Sequence, residues 1–172
     1  MMIDIDAMIR KEIENGYGDA NAQAKVCQDL ILKAIATSSL NRNVTIKGGV
    51  VMRGKTKNVR RATQDIDLDF IRYSLGNDSI DAFVSKLNCI EGLTIKRVGK
   101  ITELKQQDYH GKRIFVRIKD QKGFTIENKQ PYTRCDTVCI YTLIFITVPG
   151  HVTVEARYHS DTASYWFILS GM

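Results

Sequence analysis

No stretch of this 172-residue chain is apolar for long enough to cross a bilayer as a helix. The opening residues, Met1 to Ile13, carry acids and lack the hydrophobic centre of a secretion signal, so a cytoplasmic location is expected. Cysteine is sparse. Cys27, Cys89, Cys135 and Cys139 are scattered, which argues against a disulfide framework. Cys135 and Cys139 have the spacing of half a metal site, with no second pair to complete it. Lysine disappears after Lys129, and beyond that point only Arg134 and Arg157 are strong bases. A Walker loop is also missing, because no Gly-Lys-Ser/Thr follows the glycine pair described below.

What the chain does have is 44% hydrophobic residues, enough for one good core in one domain. A net charge of +6 favours polyanionic partners. Ile5, Met8, Ile9 and Ile13 fit one helical face; Val26, Leu30, Ile31 and Ile35 fit another, in a helix that Asp19 is placed to cap. Gly76-Asn77-Asp78 should break the chain and cap a further helix that buries Ile80, Phe83, Val84 and Leu87. Extended segments follow at 94–104, 113–119 and, after the Gln121-Lys122-Gly123 turn, 124–127. On the second of these, Arg113 and Arg117 share a face opposite Ile114, Val116 and Ile118; with Lys112 they extend a solvated basic surface. This order predicts an α+β domain with one sheet.

Two motifs carry chemistry. Val44-Thr45-Ile46 reads as a short strand running into Gly48-Gly49. Adjacent glycines leave no side chain between main chain and ligand, and a helix starting at Val50 would aim free N–H groups at a bound anion. Further on, Asp65, Asp67 and Asp69 alternate with Ile66, Leu68 and Phe70, so a strand puts three acids on one face. Such acids repel one another, and magnesium relieves the repulsion while also taking phosphate oxygens. Two ions about 4 Å apart would activate an attacking oxygen and stabilise the leaving pyrophosphate. Asp69 reads as a solubilising neighbour rather than a ligand. Between the motifs, Arg53, Lys55, Lys57, Arg60 and Arg61 stand with no acid among them, a basic run suited to phosphate. Thr63 either binds phosphate or caps a turn.

Lys47-Gly48-Gly49, Arg53 and then Arg61-x-Thr63-x-Asp65-Ile66-Asp67-Leu68 resemble the AbiEii/AbiGii nucleotidyltransferase toxin family of the DNA polymerase β-like superfamily. The likeness covers residues 44–72 and extends to about 129. It implies a mixed sheet with helices packed on one side, and a metal-dependent nucleotidyltransferase that moves a nucleoside monophosphate from a nucleoside triphosphate to an acceptor such as tRNA. It also implies a cognate antitoxin partner. Lys47, Gly48, Gly49, Arg53 and Thr63 would bind the triphosphate, and Asp65 and Asp67 would hold Mg2+. The stretch from Gly49 to Asp65 is long for the superfamily.

The resemblance also implies a third carboxylate on a later strand, just after the equivalent of Glu127-Asn128-Lys129. Here Gln130-Pro131-Tyr132 stands instead, and proline disfavours a central strand. Asp136 and Glu155 are equal substitutes, with Glu127 behind them. Residues 1–129 thus read as the nucleotidyltransferase-like domain and 130–172 as an atypical β-rich tail, either part of the same domain or the product of a changed reading frame. In the tail, 138–148 and 151–158 read as a hairpin about Pro149-Gly150. His110 and His151 sit beside glycines at expected turns, and His159 follows a strand. The alternative function is an inactive, truncated relic that binds nucleotide, RNA or an antitoxin.

Overall fold

The computed structural model describes residues 3–47, 49–51, 65–106, 109–126, 137–142, 152–159 and 164–171, with side chains placed over 3–47, 49–51, 65–104 and 111–126. Two helices come first. Helix α1 (Ile5–Glu14) is capped by the Asp4 carboxylate, which accepts from the Ala7 N–H. It ends at Gly16, whose φ of 95° suits a residue without Cβ. Ile5 and Ile9 are buried and Met8 packs beside them, but Ile13 is 39% exposed, so the apolar face stops a turn early.

Helix α2 (Asp19–Thr37) is capped by the Gly18 backbone, with no side-chain cap. Asp19 therefore occupies the first turn, where its charge still suits the positive end of the helix dipole. Its buried set is wider than one stripe, running from Ala22 and Ala24 through Val26 and Leu30 to Ile35, as expected of a helix enclosed by its neighbours. Lys25 ties the pair of helices, reaching Glu12 at 2.9 Å and Asp29 at 2.7 Å.

After a 3-10 turn (Ser39–Arg42) come β1 (Val44–Lys47), β2 (Asp65–Phe70), helix α3 (Asn77–Lys86), β3 (Leu93–Gln106), β4 (Tyr109–Asp120) and β5 (Thr125–Ile126). The remaining strands are β6 (Thr137–Thr142), β7 (Val152–His159) and β8 (Ser164–Gly171). Helix α3 follows Gly76, without a side-chain cap; the expected Ile80, Phe83 and Val84 are buried on it and Leu87 just beyond it. Residues 49–51 are helical, and Val50 enters the core.

The main sheet is mixed, in the order β1-β2-β6-β4-β3, with β5 paired to β4. Among the described strands of this sheet, only β2 and β6 run parallel. The chain is thus an α+β protein. Ile66, Leu68 and Phe70 of β2 and Ile114, Val116 and Ile118 of β4 share one core with α1, α2 and α3. The Phe70 and Phe83 rings, 5.1 Å apart, join β2 to α3.

Two polar side chains fix the edges of this packing. Buried Asp120 accepts the Ile5 N–H at 3.1 Å and the Phe124 N–H at 2.9 Å, tying the end of β4 to the start of α1 and to the following turn. Asn88, just past α3, bonds the Ile95 C=O at 2.8 Å and the Ile95 N–H at 2.7 Å on β3, the last strand of the sheet. Along β3 the register slips between Val98 and Thr102, where Gly99 takes φ 70°.

The tail departs from the expected hairpin. β6 enters the sheet between β2 and β4, while β7 pairs with β8 in a two-stranded sheet of its own. An almost unbroken apolar, β-branched run is the pattern of a strand covered on both faces, which suits a central position better than a hairpin arm. His110 lies within β4, opposite Lys105, because the β3–β4 arms extend past the glycine expected to end them.

Candidate functional site

The acids of β2 share a face, and what that face meets follows from the register. On one side, antiparallel β1 sets Lys47 opposite Asp67 and Thr45 opposite Asp69. On the other, parallel β6 sets Thr137, Cys139 and Tyr141 beside Asp65, Asp67 and Asp69. One strand further, β4 sets Arg113 opposite Cys139, so Lys47, Asp67, Cys139 and Arg113 form one row across four strands.

Asp69 is only 5% exposed and accepts an ion pair from Lys47, with Nζ 2.8 Å from Oδ1. It is therefore a buried, paired carboxylate and not the solubilising neighbour expected from sequence. Asp65 and Asp67 are half-buried. Burial pushes the Asp67 carboxyl above its ordinary range, and Asp65 and Asp69 push it the same way; Lys47 and Arg113 pull it back. Two acids that repel each other, with bases on both flanks, make a concentrated patch of alternating charge.

Of the residues expected to bind the triphosphate, Lys47 stands at the end of β1 beside these acids, and Gly49 begins the helical stretch after it. Gly48, Arg53 and Thr63 lie outside the described residues, as do Asp136 and Glu127. Glu155 is in β7, opposite Ile168 of β8 and not in the sheet that holds Asp65. Among the described residues no group of three or more His, Cys, Asp or Glu could hold a metal ion. Cys27 is buried and Cys89 exposed, and neither is in a disulfide. No helix among the described residues is long and apolar enough to cross a membrane.

Arg113 is the neighbour that sequence reasoning missed. Alternation placed it correctly on the polar face, but its closeness to Asp67 depends on β4 lying one strand from β2. No local pattern encodes that.

No family model matches the chain, and neither a curated protein nor a solved structure matches it.

Proposed function

We propose that the chain is a metal-dependent nucleotidyltransferase of the kind its motifs resemble, moving a nucleoside monophosphate from a nucleoside triphosphate to an acceptor such as RNA. One observation carries the reading: Asp65 and Asp67 stand on one sheet face, and the strand beside them leads through Lys47 into the Gly49 helix start. Half-buried neighbouring carboxylates suit a divalent cation, since burial and the Asp65 charge both disfavour a bare Asp67 carboxylate and a cation would offset both. Magnesium bound there would supply Lewis-acid stabilisation of the transferring phosphoryl group. The backbone N–H groups after Gly48 would hold the triphosphate, and Lys47 would balance charge between phosphate and acid. Attack by an acceptor hydroxyl on the α-phosphorus forms the new phosphodiester and releases pyrophosphate, with the hydroxyl proton passing to solvent. Positioning and charge stabilisation would supply most of the rate.

The second reading, a module that binds nucleotide, RNA or an antitoxin without transfer, is favoured by a different fact. β6 offers Thr137, Cys139 and Tyr141 at the positions beside the acids, and none is a carboxylate. Incubation with each labelled nucleoside triphosphate, magnesium and total RNA separates the two. Transfer by the wild type that vanishes in Asp65→Ala/Asp67→Ala supports the enzyme; nucleotide binding without any transfer supports the module. Transfer unaffected by the double substitution sinks the proposed site.

A further inference from the structure

The face that carries the acids is divided by charge. Its β2 part holds Asp65, Asp67 and Asp69. Its β4 part holds Arg113, Phe115, Arg117 and Lys119, since Ile114, Val116 and Ile118 between them are buried on the other side. The register adds β3: Lys96 stands opposite Arg117, Thr94 opposite Lys119 and Thr102 opposite Arg113. Among the described residues, four bases and no acid therefore occupy this half of the face, on two neighbouring strands. Lys96 and Lys119 are exposed, and Phe115 is 36% exposed among them, a large aromatic presented where a soluble sheet ordinarily places polar residues.

We infer that this half-face is a docking surface for single-stranded nucleic acid, which would lie along β4 with its backbone on Arg113, Arg117, Lys96 and Lys119 and a base stacked on Phe115. Charge complementarity selects a polyanion, and the aromatic between arginines selects one with exposed π-faces. Duplex hides its bases and would leave Phe115 unused. From Arg113 to Lys119 the strand rises about 20 Å, room for a few nucleotides. Arg113 is the last base of the track and shares a row with Asp67, so a strand held here would end its course toward the acids. The acceptor role of that end rests on the transferase reading above; the binding does not.

The test is fluorescence anisotropy of the full chain with a short labelled oligoribonucleotide, without nucleotide or magnesium, across a salt series. Wild type should bind with an affinity that falls as salt rises. Lys96→Glu/Arg117→Glu should weaken binding more than tenfold and flatten the salt slope by about 0.7 for each phosphate no longer neutralised. Phe115→Ala should weaken it about tenfold with the slope unchanged, because stacking releases no counterions. Asp65→Ala/Asp67→Ala should bind at least as tightly as wild type, even if label transfer is abolished; oligonucleotide binding without transfer in the wild type would overturn the enzyme and leave the track intact. The inference is overturned if wild type does not bind, if it prefers the matching duplex, or if the charge reversals, shown folded by circular dichroism, bind like wild type.

Discussion

Lys47 sits opposite Asp67 in the pairing of β1 with β2, yet its Nζ lies 2.8 Å from Oδ1 of Asp69, one diagonal step away. The diagonal choice covers the most buried of the three acids and leaves Asp65 and Asp67 as the carboxylates nearer to solvent. Replacing Lys47 by Met should expose that dependence. The buried Asp69 carboxylate would lose this ion-pair partner, and stability should fall by about 1–2 kcal/mol, less than for a fully enclosed pair because the Lys47 side chain is half-exposed. Urea unfolding midpoints measure this; an unchanged midpoint would mean that the pair adds nothing.

Asp67 sets a pH dependence. Its carboxyl is raised above 3.8 in the fold, first by burial and then by Asp65. The folded protein therefore holds this proton more firmly than the unfolded chain does. The contribution is fully present below 3.8 and is lost as pH rises through the folded value. Asp67→Asn should melt higher than wild type above that window, with the gap closing toward acid. Magnesium should raise the wild-type melting temperature at neutral pH and leave the variant less affected. A variant that melts below wild type at neutral pH contradicts this account.

Asp120 is a structural acid whose loss should leave chemistry alone. Asp120→Ala abandons the Ile5 and Phe124 N–H groups, which now donate to it, and should cost about 3 kcal/mol. Chemical denaturation should show the loss. Oligonucleotide affinity, measured below the unfolding transition, should stay at the wild-type value.

Asn88→Ala removes the paired bonds to Ile95 and bares the outer rim of β3. Sheet rims with unpaired N–H and C=O groups recruit other strands. The variant should self-associate at concentrations where wild type stays as it was, as seen by light scattering or sedimentation. Equal sedimentation of the two proteins would remove this role from Asn88.

Local pattern makes much of the fold legible. The alternation in Asp65–Phe70 defines both faces of β2, and Gly76 marks the start of α3, because side-chain period and glycine punctuation act within a few residues. Distant pairing does not show. Proximity in sequence favours a hairpin across Pro149-Gly150, whereas the structure gives β6 to β2 and β4. The same gap conceals Arg113 from the site and Lys47 from Asp69. Asp120 sends no signal at all, since its partners are backbone groups brought in from the N-terminus and the adjoining turn.

The parallel pairing of β2 with β6 also dictates an order of assembly. Asp65 meets Thr137, 72 positions later in the chain. Helices α1 and α2 and the β3–β4 arms can form from nearby residues, but the wall beside the acids arrives later, after a long loop has closed. During synthesis the ribosome would release β2, with Asp65 and Asp67, soon after β1 but well before β6 emerges. The wall that β6 builds beside the acids would exist in the nascent chain only once Thr142 has left the ribosome.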